Sequence, residues 1–416
     1  MCPDWLVVDA RFENAGRRIS IVVTDRRILL ICAFLRACAI GLMGVLLGLY
    51  LAQRHFNAGQ IGVIIGVGLS GAALSSLMVS FLGDRLGRRR SLLALALLAT
   101  AGGLALLWTT HLLAVCLAVF LGMVNGAGRD RGSALVIEQA VLPQTASAAG
   151  RTKAFAWYNV LQDAGHALGA LAAGLPAFIG NGDLLGYQIA IAVYAALYAC
   201  TGLLYLGLSA AVETTTKAPR WIPPVSAQSR RIIARVAGLF AIDSIAGGFL
   251  GTALLSYFFF VRFGVSESTI ALLFFTARIA NGVSHLGAAW LAARIGLVNT
   301  MVFTHIPSSI ALIAVALVPQ FWMAAILFML RELLVEMDVP TRQSYVMAVV
   351  QPEERTFASG VTSLVRLGGW AIGPFAAGAL MQGVALATPL IVGAALKIGY
   401  DALLYLSFRG LKPPEE

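Results

Sequence analysis

The sequence predicts an all-α polytopic membrane protein with 12 transmembrane helices in two pseudo-symmetric six-helix bundles. Three observations carry this expectation. The 416 residues are 59% hydrophobic and only 12% charged, far too apolar for a soluble domain of this length. The apolar residues gather into about twelve runs, each long enough to cross roughly 30 Å of hydrocarbon as a helix. The first half of the chain repeats in the second. A transmembrane β-barrel would show alternating segments of roughly ten residues instead, which the chain lacks.

Charge sets the orientation. The net charge is +10, but the basic residues sit in loops on one side: Arg11, Arg17, Arg18, Arg26, Arg27, the Arg85–Arg90 cluster, Arg151, Lys153, Lys217, Arg220, Arg230, Arg231, Arg294, Arg355, Arg409 and Lys412. The opposite loops hold Arg54, Arg262 and a few histidines. Both termini are therefore expected in the cytoplasm, and the positive charge faces a lipid bilayer, not a nucleic acid. Cys2, Cys32, Cys38, Cys116 and Cys200 have no paired spacing, so neither disulfides nor a metal site are expected.

Residues 1–27 are polar and basic without signal-peptide organisation and read as a cytoplasmic tail. The N-terminal bundle, 28–209, contains spans at 28–51, 61–82, 91–108, 112–142, 154–179 and 184–208. Residues 210–231, with a Thr-rich run and Pro223-Pro224, read as the linker between bundles. The C-terminal bundle, 232–408, contains spans at 232–260, 268–290, 300–318, 321–350, 357–382 and 385–406, and 409–416 is a second cytoplasmic tail.

The loop between the second and third spans, Ser80-Phe-Leu-Gly-Asp-Arg-Leu-Gly-Arg-Arg-Arg, packs four arginines into six residues. Gly87 permits a tight reversal there. The spacing of Asp84, Arg85, Gly87, Arg88 and Arg89 resembles the signature loop between helices 2 and 3 of the major facilitator superfamily of secondary transporters, with Ser80 where the family pattern has Gly. The internal repeat agrees with it. Arg151, Thr152, Ala154, Gly165, Gly169, Ala173 and Gly174 recur at one offset as Arg355, Thr356, Ala358, Gly369, Gly373, Ala377 and Gly378. Gly41, Gly44 and Tyr50 likewise match Gly248, Gly251 and Tyr257. The second-half counterpart of the arginine loop, Arg294-Ile295-Gly296, has lost the acid.

The resemblance is greatest to the 12-helix drug and metabolite efflux branch. It implies a monomeric carrier in the bacterial inner (plasma) membrane that needs no cofactor and binds a small-molecule substrate near the bilayer midplane between the halves. It also implies a gating role for Asp84, Arg85, Gly87, Arg88 and Arg89, with Asp84 holding the cytoplasmic side closed near Thr356, at the start of the eleventh span. The glycines have a structural reading beside these, since small residues let membrane helices approach closely.

Charges inside the spans are the candidate functional residues, because a charge at the bilayer centre costs at least ~2.5–3.5 kcal/mol unless it is paired or wet. Arg36 and Asp243 fall roughly 12 Å deep at 1.5 Å per residue and are matched by the repeat, so they form a candidate pair across the interface between halves. Arg129, Asp130, Arg131 and Glu138 lie in the fourth span, with Arg131 and Glu138 on one helix face. In the tenth span Asp338 precedes Arg342 by four, the order of a local ion pair. That leaves Glu332 and Glu336, one turn apart, as protonatable carboxylates. Asp163 and His166 are spaced for a proton relay, Lys397 and Asp401 for a local structural pair. His285 and His305 have nothing distinctive around them.

The sequence thus reads as a secondary active transporter using alternating access. Proton-coupled efflux (antiport) of a small organic solute leads, and proton-coupled uptake (symport) of an anionic or zwitterionic metabolite is the alternative. The expected substrate and proton-coupling residues are Arg36, Arg129, Arg131, Glu138, Asp163, Asp243, Glu332 and Glu336. A transport-inactive receptor or scaffold of the same fold is the reading from another class. No nucleotide loop and no clustered nucleophile or zinc motif supports an enzyme.

Overall fold

The computed structural model describes residues 4–130, 132–145, 151–179, 182–213, 227–337 and 355–408. Among them every regular element is helical. The helices are α1 (Asp4–Gln53), α2 (Ala58–Leu86), α3 (Arg88–Trp108), α4 (Leu112–Gly122), α5 (Ser133–Val141), α6 (Arg151–Ala172), α7 (Leu175–Phe178), α8 (Leu184–Tyr205), α9 (Ala227–Phe249), α10 (Thr252–Phe263), α11 (Glu267–Ile295), α12 (Leu297–Leu317), α13 (Phe321–Val335), α14 (Arg355–Gly383) and α15 (Thr388–Phe408). Eight of the helical stretches are long and apolar enough to cross a membrane.

Several expected boundaries move: the fifth span divides into α6 and α7, the helix of the tenth ends at Val335, and three further changes have a local reason. Helix α1 begins at Asp4, well before residue 28, because no proline interrupts the polar run and the backbone continues as helix beyond the apolar stretch. The seventh span is broken at Leu250–Gly251 into α9 and α10. The fourth span is not one helix: α4 ends at Met123, which is left-handed at φ 54°, and helix resumes only at Ser133. Gly126, Gly128 and Gly132 fall in that gap, Gly128 at φ 68°.

A helix break inside a bilayer frees backbone groups that water cannot satisfy. Here the two breaks satisfy each other. The amide of Ala253 donates to Gly126 O at 2.9 Å, and Thr252 Oγ1 donates to Ala127 O at 3.0 Å. The amide of Ala127 donates to Asn125 Oδ1 at 3.1 Å, and that of Asp130 to His166 Nε2 at 3.0 Å. Glycine is required on spatial grounds as well, since a Cβ on Gly126 would stand 2.4 Å from Ala253 Cβ.

The repeated glycines do equivalent work in the two halves of the chain. Gly165 and Gly169 of α6 lie on α1, where a Cβ would meet Phe34 O at 2.6 Å and Cys38 O at 2.0 Å; Gly369 and Gly373 of α14 lie on α9, against Ser244 at 2.6 Å and Gly248 at 2.5 Å. The halves meet at the face away from the arginine loop. There Gly62 and Gly378 bring α2 against α14, and Gly174 brings the α6–α7 turn against Ser268 at the start of α11. Nearer the arginine-loop face, Gly360 and Gly368 of α14 have no neighbouring atom within 4 Å of a Cβ position. The glycines of α14 thus differ in packing: Gly369, Gly373 and Gly378 abut neighbouring helices, whereas Gly360 and Gly368 face open space.

This difference is measurable. Gly373→Ala should lower the thermal stability of the detergent-purified protein by about 1–3 kcal/mol through overpacking on backbone. Gly368→Ala should leave it unchanged or raise it by up to ~1 kcal/mol through helix propensity. Equal melting shifts for the two variants would contradict the packing described.

Candidate functional site

Three groups of ionisable side chains lie inside the helical body. The first belongs to the N-terminal half. Arg36 of α1 donates through Nε to Asp130 Oδ2 at 2.6 Å and through both terminal nitrogens to Glu138 of α5 at 2.7 Å. Glu138 is completely buried and also accepts from Tyr158 of α6 at 2.6 Å and Tyr205 of α8 at 2.5 Å. A fork-on-carboxylate pair with two phenol donors satisfies every lone pair that a buried carboxylate must commit. The expected Arg36–Asp243 pair across the interface is therefore not formed. Each residue is turned into its own half, where nearer partners are available.

The second group belongs to the C-terminal half. Lys397 Nζ donates to Asp243 Oδ1 at 2.8 Å and stands 3.3 Å from His305 Nε2, while His305 Nδ1 stands 3.0 Å from Asp401 Oδ1. The expected local pair of Lys397 with Asp401 is thus replaced by a chain through α9, α12 and α15. His305, which lacks charged neighbours in sequence, holds its centre. No spacing signal pointed to it, because its partners lie 92 and 96 residues away.

The third group surrounds a cavity of about 180 Å³. Arg129, Arg278, Arg331, Arg366 and Lys397 line it together with Asp243, Glu332, Glu336 and His305, and Phe274, Phe328 and Trp370 supply apolar walls. Arg129 reaches across from the broken fourth span to Glu336 at 2.9 Å and to Asn281 Oδ1 at 2.9 Å. Asn281 Nδ2 donates to Glu332 Oε2 at 2.8 Å, and Arg331 pairs with Glu332. Glu332 and Glu336 accordingly do not form a shared carboxylate pair; each has its own arginine. The Asp338–Arg342 pair proposed to leave them free lies outside the described residues, as does Arg131.

The proposed Asp163–His166 relay is altered too. His166 Nε2 accepts the Asp130 amide, which makes it a support for the helix break. Asp163 lines a smaller cavity with Arg129, His166, Arg278 and Asn281. Arg278, which sequence reasoning missed, donates to Thr252 Oγ1 at 3.2 Å, and thereby touches the other break.

In the arginine loop Gly87 adopts φ 94°, the reversal expected of it. Asp84 pairs with Arg88 at 2.7 Å, one turn away; the side chain of Thr356 lies outside the described residues. The first residues of the expected linker are docked here. Glu213 accepts from the amides of Arg88 and Arg89 at 2.7 and 3.1 Å, supplying the acceptors that the N-terminus of α3 otherwise lacks. Arg85 and Arg90 are exposed.

Removing one partner of a buried pair strands a charge, at a cost of about 3–5 kcal/mol. Glu138→Gln should therefore depress the melting temperature of the purified protein sharply, whereas Asp163→Asn, which removes an exposed carboxylate, should move it little. A small effect of Glu138→Gln would mean that Arg36 relies on Asp130 alone.

Comparison with known proteins agrees with this architecture. Residues 29–374 match the family model described as Major Facilitator Superfamily. An uncharacterized membrane protein of Saccharomyces cerevisiae is 22% identical, the match covering 99% of this chain and 98% of the yeast protein. The crystal structure of the nucleoside transporter NupG is similar at TM-score 0.71 and 17% identity, over 92% of this chain and 99% of that one. A D-xylose-proton symporter is similar at TM-score 0.69 and 13% identity, over 92% and 97% of the two chains. With the family model spanning most of its length, the chain belongs to the Major Facilitator Superfamily.

Proposed function

We propose that the protein is a secondary active transporter that moves a small organic anion by alternating access, with protons as the coupling ion. The observation that carries the reading is the charge of the central cavity. Five cationic side chains line it against three carboxylates, so an anionic solute would meet an excess of positive charge beside the aromatic walls of Phe274, Phe328 and Trp370. A neutral or cationic solute would leave that excess uncompensated in a low dielectric.

The two halves, divided at residues 210–231, rock about the breaks in the fourth and seventh spans in this reading. The clamp at Gly62, Gly378 and Gly174 is the closed gate, and the arginine-loop face, held cytoplasmic, is the open one. Arg129 is the substrate-facing contact that changes hands, because its bond to Glu336 is the ion pair that joins the halves at the cavity. Among the solved relatives, the D-xylose-proton symporter is by its title proton-linked, which supports proton coupling within this fold. The arginine loop's resemblance to efflux carriers supports export in exchange for protons; uptake with protons is the second mode that the same cavity suits.

Proteoliposomes preloaded with a panel of mono- and dicarboxylates, nucleoside monophosphates and sugar phosphates provide the test. At least one anion should exchange faster than in empty liposomes. An imposed pH gradient should drive it, outward for exchange and inward for co-transport with an acidic exterior. Arg278→Met and Arg129→Met should each reduce the flux at least tenfold. Flux of neutral nucleosides or sugars that is indifferent to both substitutions would overturn the anionic reading.

A further inference from the structure

Arg278 is a cation of the central cavity that has no carboxylate partner among the described residues. Arg129 pairs with Glu336, Arg331 with Glu332 and Lys397 with Asp243, and Arg366 stands over the Phe240 ring, 5.9 Å from its centroid. Arg278 makes one hydrogen bond, to the neutral hydroxyl of Thr252 at 3.2 Å. Glu336 shares the central cavity with it and Asp163 the smaller one, and neither forms an ion pair with it. A guanidinium with one neutral partner keeps further N–H donors, set in a fork that fits a carboxylate.

The place of this guanidinium is built by the two helix breaks. A Cβ on Gly128 would stand 2.9 Å from Arg278 Nη2 and 2.5 Å from Thr252 Oγ1, so the fourth span leaves the space that the side chain occupies. Thr252 is also the first residue of α10, whose N-cap Gly251 offers no side-chain acceptor. The positive end of that helix dipole therefore falls beside the guanidinium.

The cavity has an aromatic side one turn away. Phe274 and Arg278 are four residues apart on α11, and share a helix face at a spacing of about 6 Å. Phe274 meets the Phe328 ring of α13 edge-on, at 5.5 Å between centroids. Trp370 of α14 supplies another wall, and Gly247 makes room for its indole, since a Cβ there would stand 2.7 Å from the ring. Size is limiting as well. An apolar cavity of about 150 Å³ holds one benzene. The volume here, about 180 Å³, thus has room for one ring and one charged group, on the order of ten non-hydrogen atoms, and is too small for a base, a sugar and a phosphate together.

We propose that the ligand of this cavity is a single-ring aromatic carboxylate, its ring held among Phe274, Phe328 and Trp370 and its carboxylate on Arg278. The ring extends the edge-to-face contact of Phe274 and Phe328, and the carboxylate supplies the charge that Arg278 lacks. A dicarboxylate would set its second charge against aromatic walls, which is costly. That this ligand is the transported solute rests on the transport reading above; its binding does not.

Binding is tested on full-length protein in phosphatidylcholine nanodiscs by isothermal titration. The aromatic acids are benzoate and hydrocinnamate. Cyclohexanecarboxylate controls for the ring, benzamide for the charge, and succinate and uridine monophosphate for size and a second charge. At least one aromatic acid should bind saturably and more tightly than all four controls. Its affinity should fall at least about tenfold in Arg278→Gln, which removes a charge-assisted hydrogen bond, and by about threefold or more in Phe274→Leu, which removes an aromatic contact. Arg278→Lys should restore part of the loss, and the comparison among ligands needs no variant to fold. No saturable binding of either acid, benzamide binding as tightly as benzoate, or affinity that neither Arg278→Gln nor Phe274→Leu changes overturns the proposal. Flux in proteoliposomes separates it from the transport reading. Exchange of succinate or uridine monophosphate by a protein that binds neither aromatic acid sinks this ligand class and leaves anion transport standing. Tight, Arg278-dependent binding of an aromatic acid that is never carried across the membrane sinks transport and leaves the binding site standing.

Discussion

Low dielectric dictates how this structure is put together: an ionised side chain inside the helical body must find an opposite charge or a full set of donors. The solution found here is local to each half. Arg36 is matched by Asp130 and Glu138, Lys397 by Asp243, Arg331 by Glu332, and His305 by Asp401. A movement of one half against the other leaves these pairs intact, so their desolvation cost does not enter the barrier for such a movement. Arg129–Glu336 does cross. Its side chains are 29% and 15% exposed, more than those of the pairs within the halves such as Arg36–Glu138 at 3% and 0%. Among the described residues, the distribution of charge thus separates ion pairs that lie within a half from the Arg129–Glu336 pair, which joins the halves.

The broken spans serve the same division. Had the fourth span remained helical, the carbonyls of Gly126 and Ala127 would be bound within it. Released, they accept from Ala253 and Thr252, which joins the halves near the cavity through backbone geometry with no charge to desolvate. The break also places Arg129 and Asp130 in irregular chain. One can then point across to Glu336 while its neighbour points back to Arg36, an arrangement that successive helical residues, about 100° apart, would make difficult. Irregular backbone at membrane depth is tolerated where it is packed in protein or lines a cavity, and this segment does both.

Much of this was legible in the sequence, and the part that was not has a common cause. Hydropathy located the long apolar helices, eight of which are long and apolar enough to cross a membrane, because burial in lipid acts on each run separately. The spacing of Gly165, Gly169, Gly369 and Gly373 showed which faces come close, since close approach of helices constrains residue size at fixed intervals. The reversal at Gly87 followed from the loop alone. Pairings did not follow, because they depend on which helices become neighbours: Arg36 and Glu138 are 102 residues apart, Lys397 and Asp243 154. Lys397 and Asp401 satisfied the one-turn rule for local pairs, but a carboxylate and an imidazole on adjacent helices offered tighter enclosure. The break in the fourth span did leave a sign, the run Gly126-Ala-Gly-Arg-Asp-Arg-Gly, which an apolarity profile conceals because its flanks are so hydrophobic.

The repeat explains one further asymmetry. It matched Arg36 with Asp243, and in the structure each pairs within its own half, Arg36 with Asp130 and Glu138 and Asp243 with Lys397. From these two starting charges the halves build opposite environments. Around Arg36 two carboxylates and two phenols engage the guanidinium, and Glu138 has no exposed surface. Asp243 pairs with Lys397, which stands beside His305, and all three border the cavity. A network whose lone pairs are all committed resists any change of protonation, since each alternative strands a donor or an acceptor. Charges that border a cavity can instead be reached from it. Similar architecture can therefore enclose the charges of one half and set those of the other at a cavity wall, according to which side chains occupy a few sites.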